Sequence, residues 1–389
     1  MFKKSNLLFI TSFIIVIILI GLFNYCINPY NINFSRSKNL YLFEYKKDLV
    51  ETILNLSRNS KYKNIVLGSS TTHGFFHKNI LSNTTSIYML LNQFDITTQM
   101  EYLDYILTIH PEIETIIFPV EYAFFGVNDI DRTPQINQKK RTINTISRLL
   151  FSRETTIKSI KKTTLFISNF PNSLKELKTQ GSIANETIEQ NIFGGSNEIS
   201  SFVQRNYSDC IPKPFLKSKY EALKRLKEIS INKNKEIIFI FPPYHALAQA
   251  YLYKTNKNSE IENIKKYVVE NFPTSKIIDY AFINSITSEP IENTPNYRDI
   301  IHPIGEPGFI FYCTLKYPAE FKDKNLYVEL SKENINSTLK WQKNRLEQYL
   351  IQNSQYINNF IDLSLSYANK NRIKTVSMPE NCKYYLDKY

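Results

Sequence analysis

Lys3 and Lys4 are followed by LLFITSFIIVIILIGLF, Leu7 to Phe23, a run without one charged residue. Carried on to Ile27, it approaches the roughly 20 residues that a helix needs to cross the hydrocarbon core of a bilayer. A cleaved signal peptide usually has a shorter apolar region followed by small residues at the cut. Here NYCINPY, Asn24 to Tyr30, offers neither an Ala-x-Ala site nor small residues ahead of Cys26, which also argues against lipoprotein processing. The expectation is an uncleaved transmembrane anchor over residues 7–27 behind a cytoplasmic tail, residues 1–6. Lysines ahead of the span favour a cytoplasmic N-terminus, so everything from about Asn28 onward is expected outside the cytoplasm, on a single-pass protein of the cell membrane.

The rest of the 389-residue chain has room for one large domain or two ordinary ones, and its 42% hydrophobic and 22% charged content is globular. Lys+Arg number 48 against Asp+Glu 36, a formal net charge of +12. A basic excess suits anionic lipid, anionic cell-wall polymer or nucleic acid. Without zinc-finger spacing or an RNP-like signature, nucleic acid is not expected as a partner. Cys26, Cys210, Cys313 and Cys382 form no Cys-x-x-Cys pair, and the three in the exported part allow at most one intramolecular disulfide, whose pairing the sequence leaves open.

Residues 28–62 read as a polar, Pro-punctuated linker and a first helix, with apolar positions at helical spacing from Leu42 to Leu56. A regular alternation follows. Apolar runs at Asn64 to Leu67, TTSIYMLL, ETIIFPV, EIIFIFPP and SKIIDY are separated by the amphipathic stretches TTQMEYLDYILTIH, YEALKRLKEISINKNK and IENIKKYVVENF. Strands alternating with helices predict an α/β domain with a parallel sheet over residues 63–321. In such sheets ligands bind at the carboxyl ends of the strands.

The alternation breaks between about residues 130 and 214. From Lys139 to Lys162 eight basic side chains stand against one acid, Glu154, while Ile143, Ile146, Leu150, Ile157 and Ile160 fall near helical spacing. This basic amphipathic insertion is either a solvated helix face covering the sheet or a contact for anionic headgroups or polymer. Residues 322–389 read as a helical extension appended to the core.

The chemistry centres on KNIVLGSSTTHGFF, Lys63 to Phe76. Ile65, Val66 and Leu67 form the apolar run of a strand buried on both faces, and Gly68 permits a sharp exit that presents Ser69 and Ser70. A serine hydroxyl needs a base within hydrogen-bond reach to act as a nucleophile, usually an imidazole oriented by a carboxylate. The chain has five histidines. His110, before Pro111, reads as a capping or surface residue, and His245 in FPPYHAL could line the sheet edge. His73 and His77 have metal-compatible spacing on a helix, but Gly74 lies between them and no third ligand is apparent, so no metal is expected. His302 in NYRDIIHPIGEPG is preceded three residues earlier by Asp299, an arrangement that lets a carboxylate accept the Nδ1 proton while Nε2 points outward.

Gly68-Ser69-Ser70 near the front and Asp299-Ile-Ile-His302-Pro303 near the back resemble the first and last blocks of the SGNH (GDSL-type) hydrolase superfamily. The anchor, the Gly-Ser-Ser form of the first block and the basic insertion resemble its membrane-anchored DltD-like and alginate-acetylation-like branch. The resemblance spans roughly Asn64 to Phe311. It implies a flavodoxin-like parallel sheet, Ser70 as nucleophile, His302 as general base and then acid, Asp299 as orienter, and no organic cofactor or metal. The family's third block contributes an oxyanion-hole Asn, which Asn128 in GVND matches literally, although an alignment placing Glu121 there is equally good. MLLNQFDITTQ lacks the glycine of the second block, and Thr71 stands where an arginine often follows the serines.

The functional expectation is an extracytoplasmic acyltransferase or esterase acting on a cell-envelope polysaccharide or polyol polymer. Its partners would be an anionic polymer or lipid and a multi-pass membrane protein that delivers acyl groups. The other readings are a non-catalytic factor of the same fold that binds such a polymer or membrane partner, and a purely structural single-pass membrane protein, which leaves Ser70, Asp299 and His302 without a reason to coincide.

Overall fold

The computed structural model describes residues 2–27, 39–43, 61–69, 72, 85–90, 96–121, 150–151, 153–168, 217–254, 258–289, 297–299, 302–303 and 325–358. Helix α1, Phe2–Ile27, is long and apolar enough to cross a membrane, and 11% of its Phe9–Ile27 stretch is buried, which separates it from the core helix of a soluble domain.

Seven strands form one sheet: β1 Asn39–Phe43, β2 Asn64–Gly68, β3 Ser86–Leu90, β4 Thr115–Pro119, β5 Glu236–Phe241, β6 Lys276–Asp279 and β9 Val328–Glu329. Their order across the sheet is β1-β3-β2-β4-β5-β6-β9. Every pairing is parallel except that of β6 with β9, which makes the sheet mixed rather than wholly parallel. From β2 to β6 the spatial order is second, first, third, fourth, fifth. The chain therefore winds one way and then reverses, and the reversal leaves a crevice beyond the carboxyl ends of β2 and β4.

The apolar runs are strands because both faces of the sheet are covered. Ile65 and Leu67, Ile87 and Met89, Ile116 and Phe118, and Ile237, Phe239 and Phe241 alternate along their strands into one hydrophobic core. Val66, Tyr88, Ile117 and Ile240, which point to the other face, are buried as well, as is Ile278 of β6. Helix α2, Ile96–Ile109, buries Met100, Leu103, Ile106 and Leu107 at helical spacing in that core and packs on α4, Lys217–Lys233, which contributes Ala222, Leu223, Leu226 and Ile229. Across this pair Asp104 receives Lys233 at 2.8 Å. Helices α5, Ala246–Lys254, and α6, Asn258–Asn271, both pack against α7, Ile335–Gln352.

Two expected boundaries change. Residues 39–43, expected in the linker and first helix, form an edge strand in parallel register with β3. The segment after 322 is no appendage: β9 pairs with β6, and Leu330, Ile335 and Leu339 belong to the main core. Of the insertion at 130–214, the described part is residues 150–151 and α3, Arg153–Ser168.

Candidate active site at the carboxyl edge of the sheet

Gly68 ends β2 under a steric demand: a Cβ there would stand 2.6–2.8 Å from three side-chain atoms of Thr72. The chain thus folds back tightly over the strand end, and the turn is gathered by one side chain. Glu121, fully buried two residues past β4, accepts the N–H of Ser69 at 3.2 Å and of Thr72 at 3.1 Å through Oε1, while Oε2 accepts a hydrogen bond from Ser69 Oγ. From the other side Gln99 of α2 donates to Gly68 O at 3.4 Å. Gln99 Oε1 and Thr72 Oγ1 are buried beside this turn without a hydrogen-bond partner among the described residues.

Of the two serines, the first is therefore committed to Glu121 in both amide and hydroxyl. Ser70 and Asn128 lie outside the described residues, as do His73, His77 and three of the cysteines; Cys26 is a free, exposed thiol.

Asp299 and His302 are brought together by backbone register. Strands β7, Tyr297–Asp299, and β8, His302–Pro303, form a two-stranded antiparallel hairpin in which Asp299 is directly opposite His302. Tyr297 ties this hairpin to the sheet. Fully buried, it donates its hydroxyl to Pro243 O at 3.4 Å, just past the end of β5, and burial raises its phenol well above the usual range. Since β2, β4 and β5 are parallel neighbours, the hairpin's attachment lies on the same carboxyl edge as the Ser69–Glu121 turn.

His245, the other candidate at this edge, is structural. Its Nδ1 accepts the Leu247 N–H at 3.2 Å, which leaves the ring proton on Nε2 to be donated to Glu289 O at 2.8 Å. The ring packs edge-on against Tyr297 at 5.3 Å, and burial lowers its pKa to about 4, against the smaller upward pull of the Glu289 carbonyl. It caps the start of α5 as a neutral imidazole. His110 is buried, not a surface residue, with Nδ1 3.2 Å from Glu112 and Tyr62 edge-on at 5.0 Å.

A second polar cluster stands further along the edge. Asp279, the last residue of β6, receives Lys265 Nζ at 2.6 Å and Gln342 Nε2 at 2.8 Å on Oδ2, and the Ala281 N–H at 2.9 Å on Oδ1. Lys265 also donates to Gln342 Oε1 at 3.0 Å and lies 5.5 Å from the Phe241 ring centre. The cavity beside the cluster, about 30 Å³, has room for a water or two and for no substrate. No metal-binding group of three or more His, Cys, Asp or Glu occurs among the described residues.

Sequence reasoning weighed Glu121 only as an alternative to Asn128. Its actual place was signalled by a charged residue directly after a buried apolar strand, FPVE, where a carboxylate has to be met by donors. No protein-family model, curated protein or solved structure matches the chain.

Proposed function

We propose that this is a membrane-anchored, extracytoplasmic serine acyltransferase or esterase of the SGNH type, acting on a cell-envelope polysaccharide or polyol polymer. The observation that carries the reading is the arrangement of the carboxyl edge. The Gly68-Ser69 turn occupies the switch point between β2 and β4, and the hairpin that pairs Asp299 with His302 is fastened by Tyr297 to the end of β5. Further support comes from the order of β2 to β6, which is that of flavodoxin-like doubly wound sheets.

In this reading Ser70 Oγ attacks the acyl carbonyl while His302 Nε2 takes its proton, and Asp299 holds the Nδ1–H and favours the imidazolium that forms. His302 then returns the proton to the departing alcohol, leaving acyl-Ser70. A water or polymer hydroxyl, deprotonated by His302, attacks that ester and releases the serine. The Ser70 N–H and the Asn128 amide are the proposed oxyanion donors, and Glu121 keeps the turn in place without touching substrate. Attack requires neutral His302, so the rate falls as the imidazole protonates below about pH 6.5. Helix α1 holds the domain at the outer face of the cell membrane, within reach of an anionic polymer or lipid and of a multi-pass acyl-delivery partner. Neither nucleic acid nor a cofactor enters this reading.

The second reading, a non-catalytic factor binding an envelope polymer, is favoured by one observation: the Glu121 carboxylate occupies two amides of the turn, Ser69 and Thr72, that an oxyanion would otherwise compete for. The two readings separate by treating the full chain in micelles with a fluorophosphonate and locating the adduct by mass spectrometry. Catalysis predicts an adduct on Ser70, lost in Ser70→Ala and in His302→Ala. A folded protein that takes no label overturns it in favour of the binding factor.

A further inference from the structure

Over its described side chains, helix α3 turns polar residues inward: Thr155 and Ser159 are buried, whereas Ile157 and Ile160 are 41% and 51% exposed. An amphipathic helix covering a sheet would turn those isoleucines inward. Arg153, Ile157, Ile160, Lys161 and Thr164 are all exposed and fall at i, i+4, i+7, i+8 and i+11, one continuous stripe of apolar and cationic side chains.

What α3 packs against is the anchor. Asn24 of α1 donates to Leu150 O at 2.6 Å and to Thr156 Oγ1 at 3.0 Å, and a Cβ added at Gly21 would collide with the Phe151 ring. Small residues and side-chain amides are the means by which helices associate in lipid, where close approach and hydrogen bonds replace the hydrophobic drive. Gly21 and Asn24 precede Ile27 by six and three residues, roughly 9 and 5 Å of helix rise. The contact therefore falls where a span ending at Ile27 passes from acyl chains to headgroups, the depth at which interfacial helices lie.

We propose that α3 is an interfacial helix that docks the α/β domain onto the lipid bilayer. Phe151, Ile157 and Ile160 enter the acyl boundary, and Arg153 and Lys161 face the phosphates of anionic headgroups. The occupant is lipid because α3 packs on α1, whose apolar side chains from Phe9 to Leu22 are largely exposed, and its charge matches an anionic leaflet. The inference rests on the anchor reading of α1 and is independent of the catalytic residues. It fixes the height of the carboxyl edge above the membrane and so favours substrates presented close to the surface.

The test uses the full chain, with its N-terminus verified by mass spectrometry, in vesicles of phosphatidylcholine with or without phosphatidylglycerol. Trp341 is the chain's single tryptophan, so Ile160→Trp and, separately, Ile157→Trp in a Trp341→Phe background report depth through quenching by lipids brominated on the acyl chain. Ile231→Trp, at a site 69% exposed on α4, serves as the control. Docking predicts blue-shifted emission and strong quenching at 157 and 160 relative to 231. The quenching should deepen with phosphatidylglycerol and weaken in Arg153→Glu/Lys161→Glu. Protein that floats with the vesicles but is quenched no more at 157 and 160 than at 231 overturns the docking alone, and would point to a soluble polymer on the stripe. Protein that does not float overturns the anchor reading with it.

Discussion

Glu121 and Asp279 both stand fully buried at the carboxyl edge of one sheet, and they are satisfied by different kinds of partner. Asp279 meets the Lys265 ammonium and the Gln342 amide, groups from helices α6 and α7, besides the local Ala281 N–H. Glu121 accepts from the N–H groups of Ser69 and Thr72 and from the Ser69 hydroxyl, three donors of the single turn that leaves β2. The first carboxylate latches secondary elements to one another; the second shapes a loop. A carboxylate at a strand end is thus a fold device when its donors come from distant helices. It shapes a turn when they come from the backbone just past a strand end.

The largest expected effect breaks the latch. Asp279→Ala leaves the Lys265 ammonium buried and unpaired, at a cost of about 3–5 kcal/mol, whereas Lys265→Met/Asp279→Leu recovers most of the loss. Urea unfolding followed by Trp341 emission checks this, since Trp341 rides on α7 with its ring 5.2 Å from Phe282. A double variant as unstable as the single one would mean that the pair does more than neutralise itself.

His245 gives the next largest effect and tests whether burial at this edge behaves as its geometry implies. Its folded pKa of about 4 lies below the ordinary 6.5, so between those values the unfolded chain binds a proton that the folded chain refuses. Stability from this group is complete above pH 6.5 and is lost as pH falls toward 4, by about 3 kcal/mol in all. His245→Asn keeps an acceptor for the Leu247 N–H and should flatten the dependence between pH 4 and 6.5. An unchanged slope would assign it to another group.

The smallest stability changes belong to the turn, and they sharpen the contrast most. Glu121→Gln retains one acceptor oxygen and should cost about 1–3 kcal/mol, and Ser69→Ala about 1 kcal/mol. Neither exceeds the lower end of the range for Asp279→Ala. Under the proposed chemistry, Glu121→Gln nonetheless slows fluorophosphonate labelling of Ser70 far more than Asp279→Ala does at a urea concentration where both are folded. Equal slowing by the two would dissolve the distinction between latch and loop shaper.

The elements most legible in the sequence were those whose signal is local. Ile65 to Leu67, Ile116 to Phe118 and Ile237 to Phe241 read as strands because a strand buried on both faces needs an unbroken apolar run. The amphipathic pattern of α2, α4 and α6 marks the single face each buries. The short strands β1 and β9 were missed, since two to five residues at a sheet edge carry no such run and are recruited by β3 and β6. For α3 the pattern was visible and its orientation was not, because spacing identifies a stripe without saying whether protein or another medium lies against it.

At the candidate site, the sequence singled out the turn after Gly68 and the Asp299–His302 pair through spacing and position. It named Ser70 through the resemblance alone, left Glu121 and Asn128 equally placed, and could not tell that His245 is a cap. Those choices depend on which donors meet which acceptors across separations of 52 residues for Ser69 with Glu121 and 77 for Lys265 with Gln342. By itself the sequence determined the apolar span, the alternation of strands and helices, and the residues with chemistry to offer, because hydrophobic periodicity is written residue by residue. Strand order, the switch point between β2 and β4, and the partner of every buried charge were decided by tertiary structure, because a buried polar group is stabilised by whatever the packed chain brings within hydrogen-bond reach.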